Sequence, residues 1–151
     1  MIQNIEEKEM RFILENNYVG QLGYVYRNRP YVVPITYYFD KEKNAIICYS
    51  GDGHKMNALR INKEVCLQVS AINTVNNWKS VLVHGKFVQH FGSNAKAYLH
   101  KFSLGVKDVI LEKEQTELDF IYEFSSKVNE EGSAIVFLIE IEEMTGKKRD
   151  S

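Results

Sequence analysis

The sequence predicts a mainly β (α+β) fold: an antiparallel barrel of about six strands with helices at its periphery. Three observations carry this. Runs rich in β-branched and aromatic residues follow one another at short intervals. The connections Arg27–Pro30 and Asp40–Asn44 are polar and too short for a parallel crossover. The run from Lys79 to Phe91 is long enough to bend between two sheet surfaces, with Gly85 as the hinge.

The elements follow in order. Glu6 to Asn17 reads as a helix, with Met10, Ile13 and Leu14 on one face and glutamates early. Tyr18 to Tyr26 reads as a strand. Its Gly20 and Gly23 mark a bulge or a close approach of another backbone or a ligand. After the turn at Arg27–Pro30, Tyr31 to Phe39 is a second strand. Pro34 in its middle cannot donate to a ladder and belongs at an edge or a bulge. Such a break lets a flat ligand lie along the strand, and equally suits an edge proline that blocks aggregation. Asn44 to Tyr49 is a third strand and His54 to Asn62 a short helix. Glu64 to Ala71 is a fourth strand, followed by an asparagine-rich loop over Ile72–Asn77 and the long strand Lys79–Phe91. A helix opens at Ser93 or Asn94 and runs through Phe102. Thr116 to Lys127 reads as another helix, and Ser133 to Ile141 as the last strand.

A chain of 151 residues with 44% hydrophobic and 26% charged content predicts a single domain spanning 1–151. The net charge of −1 gives no electrostatic case for nucleic acid or an anionic membrane surface. Lys147-Lys148-Arg149 reads as a short solvated basic tail. Cys48 and Cys66 each sit in an apolar run and read as buried free thiols, with no zinc spacing. The N-terminal residues are polar and acidic, unlike a signal or transit peptide, and no run is long enough to span a membrane. A cytoplasmic protein is the expectation.

The stretch with the most chemistry is Ser50-Gly51-Asp52-Gly53-His54-Lys55. A strand ending in a glycine-bearing loop that opens a helix leaves N–H groups free to attract an anion, phosphate above all. His54 and Lys55 would then stand in the first helical turn, where the dipole is already positive, and a bound anion relieves the conflict. The alternative is a simple connection with Asp52 as N-cap. No Gly-x-Gly-x-x-Gly, Walker lysine or Gly-x-Ser-x-Gly motif occurs. The histidines lack metal-site spacing; His84, His90 and His100 read as surface or satisfied core groups. Tyr31, Tyr37, Tyr38 and Tyr49 crowd the meander, either as a stacking surface or as ordinary core.

The ordered set Gly20-Gln21-Leu22-Gly23, Pro30-Tyr31-Val32-Val33-Pro34-Ile35, Tyr49-Ser50, Gly53-His54-Lys55, Leu59-Arg60, Ser80-Val81 and Gly85 resembles the FMN-binding split β-barrel proteins. These are the relatives of pyridoxamine 5′-phosphate oxidase. The likeness is nearest to the nitroimidazole-resistance (Nim) branch and covers about Gly20 to Phe91. It implies a six-stranded antiparallel split barrel and a homodimer with FMN between the subunits. His54 and Lys55, with loop amides from Ser50 to Gly53 and the neighbouring Tyr49, would hold the FMN phosphate. Val33, Pro34, Ile35 and Thr36 would line the isoalloxazine ring, and Ser80 would stand near the flavin. Trp78 and Tyr38 would meet the ring edge or the subunit interface. His54 is also the position matching the histidine that acts near substrate in the Nim branch.

The implied activity is an FMN-dependent oxidoreductase, a 5-nitroimidazole reductase taking electrons from NAD(P)H. The alternatives are a flavin-binding or storage protein without turnover, or a same-fold haem- or deazaflavin-binding protein. The oxidase's C-terminal substrate residues have no match in Thr145-Gly146-Lys147-Lys148-Arg149.

Overall fold

A computed structural model of the chain describes residues 1–114 and 135–150. The elements are β1 (Ile2–Asn4), α1 (Glu7–Glu15), β2 (Val19–Tyr26), β3 (Arg29–Asp40), β4 (Ala45–Ser50), α2 (His54–Ile61), β5 (Glu64–Thr74), β6 (Asn77–His90), α3 (Gly92–Glu114) and β7 (Ile135–Arg149). The sheet runs β1-β7-β4-β3-β2-β5-β6, and β7 pairs back onto β6. Every pairing is antiparallel, so β2 to β7 close into a barrel and β1 lies outside against β7.

The barrel interior is filled from alternate positions, among them Leu22, Ile35, Tyr37, Ile46, Leu67, Val83 and Phe137, and α1 adds Met10, Ile13 and Leu14. The buried Tyr37 hydroxyl donates to the Leu14 carbonyl (2.9 Å), tying α1 to β3. β4 is apolar at successive positions because both its faces are covered. Ile46 and Cys48 point into the barrel, and Ala45, Ile47 and Tyr49 pack beneath Leu99, Phe102, Val106 and Ile110 of α3. Lys101 anchors α3 by donating to the buried Asp40 carboxylate at 2.8 Å.

Four boundaries depart from the sequence reading. The β2–β3 turn is only Arg27-Asn28, both at positive φ (50° and 63°), the signature of a tight type I′ hairpin, so β3 starts at Arg29. The expected loop at Ile72–Asn77 is mostly strand, paired Ile72–Trp78 and Thr74–Asn77. The helix opening after Phe91 reaches Glu114, well past Phe102.

The largest correction concerns β7. It continues past Ile141 to Arg149, so Lys147-Lys148-Arg149 is not a loose tail but pairs with both β1 and β6. The alternation there is hidden by an irregularity: His84 faces Glu143 while Gly85 faces Ile141, leaving Glu142 as an extra residue. The helix expected over Thr116–Lys127 lies outside the described residues.

A Cβ on Gly85 would lie 2.2 Å from the Glu140 carbonyl oxygen, which is backbone and cannot yield. Gly85→Ala is expected to cost about 1–3 kcal/mol by forcing the β6–β7 ladder apart. A urea-midpoint measurement checks this, and a loss below about 0.5 kcal/mol would mean that the strands separate freely there.

Candidate functional site: the gap between β3 and β4

β3 and β4 pair only between Tyr37–Cys48 and Asp40–Ala45. From there β3 runs back to Arg29 along β2, while β4 runs on to Ser50 along β7. The two strands part, and α2 starts at His54 beside the gap.

The Tyr37 N–H donates to the Tyr18 carbonyl, on the β2 side. Alternation therefore turns the nitrogens of residues 32, 34 and 36 toward the gap. Pro34 thus forfeits no ladder bond and is an edge residue. Val32 and Pro34 lie beyond the residues that pair with β4, whereas Thr36 adjoins the last pair, Tyr37–Cys48. Side chains divide by the same alternation. Val33 and Ile35 turn toward the barrel interior, whereas Pro34 is exposed on the outer face with Thr36 half-buried beside it. Val33 and Ile35 turn their N–H and C=O groups toward β2, so Pro34 and Thr36 are the residues of this stretch whose main-chain groups face the gap.

Asp52 is not the cap of α2. Gly53 is the N-cap residue, in extended geometry (φ 164°, ψ −158°), and no side chain caps the helix. Asp52 Oδ1 accepts instead from the Gly53 N–H (3.0 Å) and from Arg60 Nη1 (3.3 Å). The first-turn N–H groups of α2 have no acceptor among the described residues and can serve an outside one.

Lys55 sits in that first turn, half-buried. Burial holds its ammonium pKa below the usual lysine value, an effect partly offset by the Cys48 thiol. Among the described residues no carboxylate pairs with it. Burial also pushes the Cys48 thiol well up, so Cys48 is a neutral core group. A desolvated, unpaired cation over free helix N–H groups is an arrangement that an anion completes.

His54 is exposed but held by aromatic rings. Its ring packs edge-on against Tyr26 (5.0 Å between centroids) and Tyr31 (4.9 Å), and Tyr24 stacks on Tyr31 at 5.3 Å. The Tyr24 hydroxyl lies 3.3 Å from His54 Nδ1. Tyr24 is buried, and its phenol pKa is raised, first by burial and then by Tyr31. The chain thus holds one ring nitrogen of His54 and leaves Nε2 without a hydrogen-bond partner among the described residues.

The remaining predicted residues fall into two places. Tyr49 is buried under α3 near Phe102, and the Ser50 hydroxyl donates to the Gly51 carbonyl at 3.2 Å. Tyr38 also packs toward α3, against Gly105. Trp78 and Ser80 lie on β6, three strands from β3, so one sheet keeps them about 14 Å from its edge. Ser80 shares the outer face with Pro34: Pro34 faces Gln21, Gln21 faces Gln68, and Gln68 Nε2 donates to Ser80 Oγ at 2.8 Å. The Tyr24–Tyr26–Tyr31 cage and Arg60's hold on the loop were not foreseen. The cage was implicit in two tyrosines spaced by two on β2, and the two-residue turn sets Tyr31 opposite Tyr24. A cavity of about 540 Å³ lies elsewhere, beside α1, α3 and the β5–β6 hairpin, away from this chemistry.

The family described as pyridoxamine 5′-phosphate oxidase matches residues 6–148. An uncharacterized protein of Rhizobium meliloti is 26% identical over 150 residues, covering 97% of this chain and 94% of the relative. A FAD-binding protein from Mesorhizobium loti superposes with TM-score 0.76 at 23% identity, over 100% of this chain and 98% of the other. A flavocytochrome from Azotobacter vinelandii gives TM-score 0.71 at 18% identity, over 99% and 70%. A candidate 5-nitroimidazole antibiotic resistance protein from Bacteroides thetaiotaomicron gives 0.65 at 19%, over 98% and 89%. At these identities the likeness to solved structures shows the fold, the split barrel expected from the sequence.

The environment of Lys55 yields a stability prediction. Its pKa is lowered in the folded state, so its charge opposes folding at pH values below that pKa, and the penalty fades as pH rises toward the unfolded value of 10.5. Lys55→Met is expected to stabilise the ligand-free chain near neutral pH by about 0.5 kcal/mol, small because the ammonium keeps part of its hydration. The advantage should shrink above pH 10 in melting scans, and a destabilised variant would contradict it.

Proposed function

The chain belongs to the pyridoxamine 5′-phosphate oxidase family, and from that premise we propose that it seats the FMN portion of a flavin in the gap and acts as a flavin-dependent oxidoreductase. The observation that carries this reading is the uncapped start of α2 with the half-buried Lys55 in its first turn, unpaired among the described residues. Lys55, the first α2 N–H groups and the loop Ser50–Gly53 would hold the phosphate. The stretch of β3 from Val33 to Thr36 would line the ring system, with Pro34 and Thr36 turning their main-chain groups to it. The flavin-binding and flavocytochrome neighbours support this choice of ligand.

A bound flavin would supply the redox chemistry, hydride transfer from NAD(P)H and electron transfer to an acceptor such as a 5-nitroimidazole. The chain's own contribution is binding, orientation and one proton-bearing side chain. With Nδ1 held by the Tyr24 hydroxyl, His54 Nε2 would be the group that hands a proton to an acceptor bound beside it.

A homodimer completes the reading. The outer face of β2, β3 and β5 exposes Val19, Val25, Val32 and Ile72. A second copy laid on it covers that apolar surface, and brings its own Trp78 and Ser80 toward the gap.

The test begins with the visible spectrum and mass of the chromophore released from purified protein. Flavin bands near one per chain agree with the reading. A Soret band replaces flavin by haem, and a colourless chain that binds no added flavin overturns it. Oxidation of NAD(P)H separates an enzyme from a storage protein. Lys55→Ala should weaken FMN binding by about 1.5–3 kcal/mol and leave riboflavin, which lacks the phosphate, unchanged. Equal loss for both ligands would remove the phosphate role from Lys55.

A further inference from the structure

We propose that a second cavity, on the opposite flank of α2, takes the adenylate half of a dinucleotide flavin, so that this chain prefers FAD to FMN. The inference rests on the seating of the FMN portion described above and extends it beyond the first phosphate.

The cavity is about 480 Å³ and is lined in part by Arg60, Lys63, Lys86, Gln89 and Phe91. That volume falls in the range of small-ligand sites, roughly 300–1,000 Å³. Three cations and the exposed ring of Phe91 around a single hollow are the chemistry that phosphate and purine require. Arg60 pairs with Asp52 and Lys86 with Glu64, while Lys63 has no ion-pair partner among the described residues. Phe91 leaves 71% of its surface to solvent at the end of β6, a ring face open to stacking.

Arg60 joins this cavity to the phosphate loop. Its Nη1 donates to Asp52 Oδ1 at 3.3 Å and its Nε to Gln89 Oε1 at 3.2 Å. Asp52 in turn accepts the Gly53 N–H, one residue before α2. One guanidinium therefore spans from the loop at the helix start to the cavity wall. Side chains on a helix lean toward its N-terminus, which is why a residue in the second turn reaches back so far. Arg60 stands six residues after His54, about 240° round the helix, so the tyrosine-held histidine and the cavity flank α2 on different sides. A pyrophosphate crossing the helix start would place its first phosphate over Lys55 and its second against Lys63, the cavity cation with no ion-pair partner among the described residues. The Asp52 carboxylate, which alone would repel it, is already neutralised by Arg60. The ribose and purine then lie in the cavity, with the purine on Phe91.

Calorimetric titration of the full chain, stripped of bound chromophore, with FMN and with FAD tests this. FAD should bind at least about tenfold more tightly than FMN. The double variant Lys63→Ala, Phe91→Ala changes two exposed side chains outside the FMN seat. It should bring FAD affinity down to that of FMN and leave FMN unchanged. FAD binding no tighter than FMN, or equal losses for both, overturns the inference while leaving the flavin seat intact. A double variant that weakens only NADPH binding to FMN-loaded protein assigns the cavity to the nicotinamide dinucleotide and overturns it too. A chain that binds neither flavin overturns the flavin seat and this inference together.

Discussion

The ladder between β6 and β7 is the constraint that the rest of the molecule obeys. It runs from Trp78–Arg149 to His90–Val136 and closes the barrel. β7 also carries β4 on its other edge, from Ala45–Glu140 to Ser50–Ile135, so β4 is fixed once the barrel closes. β4 has only 6 residues, while its other neighbour β3 has 12. A short strand cannot cover a long one, and the surplus of β3 is left with a bare edge. The gap is a consequence of unequal strand lengths in a closed ring.

That same mismatch explains the chemistry at the start of α2. The chain leaves β4 at Ser50 and turns into a helix whose first residue packs on the tyrosines of β2 and β3. Lys55 is half-buried there and has no carboxylate partner among the described residues. Such a residue is a cost to the empty fold and an asset to a bound anion. Tyr24, Tyr26 and Tyr31 turn the adjoining barrel rim into an aromatic seat for His54, fixing a side chain that would otherwise rotate freely at an exposed helix end.

Much of this was legible in the chain. The meander from Val19 to Ser50, Pro34 as an edge residue and the loop opening α2 follow from short connections, a missing donor and glycine before a helix. What escaped was set by register or by distant partners. The second half of β7 hides behind Glu142, which breaks the alternation, and its lysines read as tail because their partners in β1 and β6 are far off in sequence. The length of α3 depends on the outer faces of β4 and β7, not on its own weak periodicity. Asp52 looked like a cap because it precedes a helix, but Arg60, eight residues on, draws its carboxylate aside.

The two kinds of strand pairing also differ in when they can form. The Arg27-Asn28 hairpin joins β2 to β3 across two residues, so its nucleus closes a very short loop. β6 and β7 must find each other across α3 and everything that follows it, and the entropy of that large loop is lost before the ladder returns any enthalpy. The folding rate should therefore be governed by the closing seam. Until β7 arrives, β4 and β6 each keep a naked edge, and that interval is when a newly made chain most needs protection from its neighbours.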